Sequence, residues 1–393
     1  MKITNIDIIP VAFKEPPLRN STGVHEEYAV RNLVKLTSEC GAVGYGETLG
    51  GTEVYSGLEH FKKVLLGQDP ANIERAKLLM HGAAPNVFSA YEVAMLDLTG
   101  KILGISVSEL LGGRVRDEVT VSGYLFYHYA DENYNENLST ESMVKEAKYW
   151  FDKHGFTTLK VKGGVLEPAE EIETIRGLRA AFPEAKLRLD PNQIWSLTTA
   201  VQVGRALADD LEYLEDPVNG IEGMARLRQL IRLPLATNMC VTEFDHIPAS
   251  VRANAVDVIL LDHHHWGGLW ASKHLAVICN TLGLDVSMHS NSHLDISMAA
   301  MLHLAATIPN LIYASDTHYI WVNESDSLLS TGKLQIKDGK MDVPTSPGLG
   351  IDIDGEKVAT LHANFEQHPI ESRDDITEMR QRNCSWLPIK PRW

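Results

Sequence analysis

Residues 159–190 read LKVKGGVLEPAEEIETIRGLRAAFPEAKLRLD, an apolar run, a helix-patterned stretch, and a second apolar run that stops at a carboxylate. Within it Ile172, Ile175 and Leu178 recur at helical spacing, and the pattern ends before Pro183. The unit is strand, helix, strand, and it recurs. Eight short β-branched or apolar runs can be placed: VTVSGYLF at 119, LKVK at 159, LRLD at 187, YLED at 213, LATNM at 235, DVILLD at 257, DVSMH at 285 and LIYAS at 311. Helical stretches of roughly 15 to 25 residues separate them. Eight parallel strands alternating with helices close into an α/β barrel of the (β/α)8 type, whose chemistry sits where each strand stops.

Working outward, Ser139 or Thr140 can cap a helix that turns Met143, Ala147, Trp150 and Phe151 inward and ends at Gly155. Residues 1–115 open with strand-like alternation, turn at Gly41, Gly44 and Gly46, and become helical through YEVAMLDLTGKILG. They read as an α+β capping domain beside a barrel spanning 116–325. The remaining segment, 326–393, carries KLQIKDGKMDVP, a hairpin signature around Asp338-Gly339, and is expected to return to the cap. A length of 393 residues exceeds the ~250 to 300 at which one core stops growing, which agrees with two domains.

The formal charge of −16 repels phosphate backbones and anionic membranes, so no nucleic-acid or membrane partner is expected. No run approaches the ~18 apolar residues of a membrane span, and MKITNIDIIPVAF lacks the pattern of a secretory signal, so a cytoplasmic enzyme is expected. The four cysteines are scattered, with neither CxxC spacing nor a disulfide framework. An anionic substrate must therefore meet a locally basic pocket.

Several runs end in chemically useful groups. Asp190, Glu215 and Asn238 close the third, fourth and fifth, placing hard oxygen donors from successive strands on one rim, which suits Mg²⁺. Each alone would more often cap a helix or pair with a lysine; the coincidence carries the reading. Lys160 and Lys162 alternate onto the same face of the second run, where mutual repulsion and burial are expected to draw one pKa toward neutrality and make a base. Asp262 and His289 end the sixth and seventh runs, a carboxylate placed to orient an imidazole. The neighbouring His263, His264 and His265 read as loop packing.

The order KVK, LDPN, EDP, TNM, Asp262 and MHSNSH resembles the glucarate dehydratases, in the mandelate-racemase branch of the enolase superfamily. The likeness extends through VRNLV at 30, LDLTGKILG, GYLFY, DTH at 316 and SRDD at 372, so it covers most of the chain. It implies the superfamily's modified barrel and a Mg²⁺-dependent dehydration of an acid sugar, D-glucarate or L-idarate, to 5-keto-4-deoxy-glucarate. Lys162 would be one base, Lys160 its carboxylate-binding neighbour, and His289 with Asp262 the facing acid/base pair. Asn192 and Asn291 would contact substrate, and His25, Tyr124, His318 and Arg373 match positions that bind the sugar acid. Glu222, in the loop after EDP, competes with Glu215 as second metal carboxylate. The chain is short around His81 to Ser89, where a family segment that covers the substrate has no clear counterpart. Galactarate or talarate as substrate, epimerisation, or service as a weakly active binding partner of a true dehydratase remain alternatives. Barrels of this kind often associate into homo-oligomers.

Overall fold

The computed structural model describes residues 1–393. A three-stranded antiparallel sheet opens the cap: β1 (Ile3–Lys14), then, after the short hairpin β2 (Arg19–Asn20) and β3 (Gly23–Val24), β4 (Tyr28–Ser38) and β5 (Val43–Leu49). Helices α1 (Thr52–Leu65), α2 (Ile73–Leu79), α3 (Pro85–Leu103) and α4 (Val107–Leu110) follow. Of the glycines expected at turns, only Gly41 takes a left-handed φ, of 83°. Gly44 and Gly46 lie within β5 because α3 crosses it: a Cβ there would stand 2.3 Å from Ala94 O and 1.9 Å from Ala90 O respectively.

After β6 (Glu118–Thr120) the chain enters the barrel through β7 (Gly123–Phe126), α5 (Thr140–His154), β8 (Thr158–Lys162), α6 (Pro168–Ala181), β9 (Lys186–Asp190), α7 (Leu197–Ala206) and β10 (Tyr213–Glu215). It continues through α8 (Gly220–Arg228), β11 (Leu235–Thr237), α9 (Ile247–Ala253), β12 (Val258–Leu261), α10 (His263–Trp266), α11 (Leu269–Leu282), β13 (Asp285–Met288) and α12 (Asp295–Ala306). Strands β7 to β13 form one seven-stranded parallel sheet in sequence order, and its strands are buried along nearly their whole length. Continuous apolar runs are what a parallel sheet covered on both faces requires.

Two runs behave differently from expectation. VTVSGYLF splits, because β6 pairs antiparallel with β14 (Lys340–Asp342) and only β7 joins the barrel. LIYAS forms no regular strand; single bridges Val286↔Leu311 and Val121↔Ser315 close the gap between β13 and β7. Asp338 and Gly339 take the left-handed φ values of a tight turn, 51° and 68°, and Lys337 and Lys340 bridge antiparallel across it; the strand that follows then pairs with β6.

Around α5, Ser139 is the N-cap, accepting from Ser142 N–H, and Gly155 ends the helix at φ 67°. Met143, Ala147 and Trp150 are buried, whereas Phe151 is 40% exposed and does not face the core. After β14, α13 (Gly355–Gln367) packs on β1 and α14 (Asp375–Arg382) on β3, so this segment lies against the cap. No helix is long and apolar enough to cross a membrane.

Candidate active site

The β8 pleat sends Lys160 and Lys162 to the same interior face, at different depths. Lys160 is fully buried, donating to Glu215 Oε2 at 2.6 Å and Asp316 Oδ2 at 2.8 Å, with Asp190 Oδ2 at 3.4 Å. Burial opposes its charge, but Asp316 and Glu215 outweigh burial and hold its pKa well above the ordinary value. Lys160 is therefore not a lysine drawn toward neutrality: three carboxylates neutralise the repulsion on it. Lys162 sits higher, donates to Asp190 Oδ2 at 2.7 Å, and reaches an open cavity of about 620 Å³.

Asp190 closes β9. Burial raises its pKa, and Lys162 and Lys160 more than reverse this, holding it at about 2. Glu215 closes β10 at the same depth, while Glu222 is exposed in the first turn of α8 and does not line the cavity. Glu215 points inward from its strand end, although it does not line that cavity either. Asn238 follows β11 and does line the cavity. Asp216 sets its place, accepting from Asn238 N–H at 2.8 Å and from Thr237 Oγ1 at 2.6 Å. Asn192, Gln193 and Asp216 all carry positive φ (51°, 60°, 41°), strain concentrated where the strands deliver their side chains.

Asp190, Glu215 and Asn238 offer hard oxygen donors from consecutive strands. Glu215 Oε1 and the nearby Asn192 Oδ1 are buried without hydrogen-bond partners. Unused buried lone pairs beside two carboxylates fit a small oxygen-seeking cation such as Mg²⁺.

On another wall, Asp262 N-caps α10 and its Oδ2 accepts from His289 Nδ1 at 2.9 Å. That contact leaves Nε2 of His289 for the cavity, which the ring lines. Burial holds the His289 pKa below its usual value, with Asp262 working against burial. His265 also lines the cavity and meets Asn291 Nδ2 at 3.1 Å, and His264 bonds Asp262 Oδ1 at 3.0 Å. Those two histidines do more than pack a loop.

The remaining expected residues separate into two groups. Asn192, Asn291 and Arg373 line the cavity. Arg373, however, is already forked onto Asp375, at 2.5 and 2.7 Å, because SRDD brings its own carboxylate to the guanidinium. His25, Tyr124 and His318 lie buried together outside that lining: the His318 ring is 5.0 Å from Tyr124 and 6.1 Å from His25, and His25 Nδ1 meets Glu15 Oε2 at 2.9 Å. Tyr124 lies under Lys160, whose Nζ is 4.8 Å from the ring centroid. Asp316, Arg31, Glu47 and Ser297 belong to the site's support and were not singled out from sequence. Asp316, Arg31 and Ser297 had a signal, lying in the DTH and VRNLV stretches and in HSNSHLDIS at 289.

Known proteins resemble this chain along most of its length. Residues 142–358 match the enolase C-terminal domain-like family and residues 3–112 the N-terminal domain of mandelate racemase / muconate lactonizing enzyme. A probable glucarate dehydratase of Streptomyces coelicolor is 39% identical, over 100% of this chain and 99% of its own. A muconate cycloisomerase of Acinetobacter lwoffii is 30% identical, over 83% of this chain and 87% of its own. Among solved structures, an enolase from Mycobacterium smegmatis complexed with tartrate superposes with TM-score 0.96 at 43% identity, covering 100% of this chain and 98% of that one. One from Pseudomonas fluorescens Pf0-1, with bound magnesium, potassium and tartrate, gives 0.97 at 40%, covering 100% and 99%. This chain is an enzyme of the enolase superfamily, of the mandelate racemase and muconate lactonizing enzyme family.

Proposed function

We propose that the enzyme is a Mg²⁺-dependent acid-sugar dehydratase acting on D-glucarate or L-idarate. One observation carries the reading: Lys162 and the Asp262-oriented His289 open on a single cavity, and Asp190, bonded to Lys162, forms with Glu215 and Lys160 a buried floor behind its lining. Lys162 Nζ takes the proton alpha to the carboxylate, and Nε2 of His289 delivers a proton to the β-hydroxyl, which leaves as water. The enol then tautomerises to 5-keto-4-deoxy-glucarate. Mg²⁺ held by Asp190, Glu215 and Asn238 would supply the positive charge that stabilises the substrate's developing negative charge. Asn192 and Asn291 orient hydroxyls, and Lys160 keeps the floor electrically balanced. His25, Tyr124 and His318 act as a buried support for that floor rather than as direct substrate contacts.

The 39% identity to a probable glucarate dehydratase, and the tartrate and magnesium in similar structures, support this reading. The test is a panel of diacid and monoacid sugars incubated with the protein and Mg²⁺, read by keto-acid formation. D-Glucarate and L-idarate are expected to react fastest. Faster turnover of galactarate, talarate or a monoacid would replace the substrate, and epimerisation without keto acid would replace the reaction. No turnover of any acid sugar would leave the protein as a binding partner of a true dehydratase.

A further inference from the structure

His289 is oriented by Asp262, and Asp262 is shared. Its Oδ2 accepts from His289 at 2.9 Å, while its Oδ1 accepts from His264 twice, from ring Nδ1 at 3.0 Å and backbone N–H at 2.9 Å. The far nitrogen of His264, Nε2, lies 3.1 Å from Arg31 Nη2 and 3.0 Å from Ser297 Oγ. A guanidinium can only donate, so Nε2 must accept. In the neutral ring the proton then resides on Nδ1, aimed at Asp262. Burial keeps that ring neutral, lowering its pKa against the pull of Asp262.

Arg31 is itself fixed. Its Nε donates to Glu47 Oε1 at 2.8 Å, and Glu47 accepts the backbone N–H groups of Leu294 and Ser297 at the start of α12, both at 2.8 Å. Arg31 and Glu47 belong to β4 and β5 of the cap, whereas Asp262, His264 and His289 belong to the barrel. The chain of contacts therefore begins in one domain and ends at the acid/base group of the other.

We propose that His264 and Arg31 are positioning residues for His289: the cap, through Arg31, fixes the His264 tautomer, and His264 thereby divides the charge of Asp262 between two rings. An Asp262 carboxylate that accepts from two imidazoles holds a protonated His289 less tightly than one that accepts from a single ring. The imidazolium gives up its proton more readily, which departure of the β-hydroxyl requires. This consequence rests on the proposed acid role of His289. Other charged or titratable groups face the pair. His289 feels the charge of His265 and Lys160; His264 feels Glu47, His293 and His263, whose tilted ring lies 3.9 Å away. None of them replaces the donor to Asp262 Oδ1.

The test uses the full chain with His264→Asn, His264→Gln and His264→Leu. An asparagine amide reaches the place of Nδ1 and can still donate to Asp262; glutamine reaches the place of Nε2 and cannot; leucine does neither. In His264→Gln and His264→Leu, kcat with D-glucarate should fall at least about tenfold, the loss of one charge-assisted hydrogen bond, while Lys162-dependent proton exchange into substrate stays within about twofold. His264→Asn should retain most of kcat. Nitrogen-15 spectra of the imidazoles, which need no substrate, should show His264 protonated on Nδ1 and the His289 titration moved to higher pH in His264→Leu. A His264 proton on Nε2, an unmoved His289 titration, or equal losses in all three variants that track their thermal stability would overturn the proposal. If the wild-type chain dehydrates no acid sugar, the proposed function falls while the spectra still decide the positioning claim.

Discussion

At the scale of single residues, the two lysines of β8 show how two positions apart on one strand become two different tools. Lys160 meets three carboxylates and stays charged; Lys162 meets one and reaches the cavity. Lys162→Met is expected to abolish both dehydration and exchange at the α-carbon in heavy water with one substrate epimer, whereas His289→Asn should lose dehydration and keep that exchange. Exchange surviving in Lys162→Met would reassign the base. For the metal, EDTA should remove activity and Mg²⁺ restore it, with Glu215→Gln weakening Mg²⁺ affinity and Glu222→Gln leaving it unchanged; titration calorimetry distinguishes them. On the proposed diacid reading, Arg373 exchanges Asp375 for the distal substrate carboxylate. Arg373→Ala should therefore lower kcat/KM for a diacid about ten- to a hundredfold, the cost of one charge-assisted contact, and change little for a monoacid such as gluconate. Undiminished diacid turnover would assign the far end of the cavity to neutral hydroxyls.

At the scale of elements, β5 and α3 are held so close that glycine is required. Gly46→Ala would place a methyl 1.9 Å from Ala90 O, a backbone atom that cannot rotate away. A loss of roughly 1–3 kcal/mol, or more if α3 must shift, is expected in chemical denaturation, against little change for Gly41→Asn on its open turn. A Gly46→Ala variant as stable as wild type would show that the cap yields where it is drawn as rigid. The same closeness accounts for a misreading. In a lone sequence GAVGYGETL looks like turn chemistry; in the fold two of its glycines make room for a helix.

At the scale of the whole molecule, one buried carboxylate joins cap to barrel and another ties a loop within the barrel. Glu92 of α3 accepts the N–H of Leu269 at the start of α11, and Glu171 accepts those of Gly164, Val165 and Leu166 at 2.9 to 3.1 Å within the barrel. Burial exceeds these bonds and pushes Glu92 up to about 8 and Glu171 to about 7. Both folded values lie above the ordinary glutamate value, so the folded chain holds protons that the unfolded chain has released. Their contribution to stability is therefore fully present below about pH 4.5 and is lost progressively as pH rises from there through about 7 to 8. Glu92→Gln should flatten the fall in Tm between pH 5 and pH 8; an unchanged slope would mean that Glu92 is ionised throughout.

The alternation of apolar runs and helical stretches, together with the residue closing each run, was enough to read a βα barrel and most of its mouth. Strand periodicity alone places Lys160 with Lys162, and strand ends place Asp190, Glu215, Asn238, Asp262 and His289. Partnership was not legible. That Asp375 occupies Arg373, that Asp316 neutralises Lys160, that β6 leaves the barrel for β14, and that Arg31 reaches His264 all depend on groups far apart in the chain. Local pattern follows from the pitch of helices and the pleat of strands, which each residue carries with it. Which charges meet, and how deeply, is decided only when the barrel closes and the cap docks, since Coulomb energy and desolvation depend on distance and burial in space rather than on sequence separation.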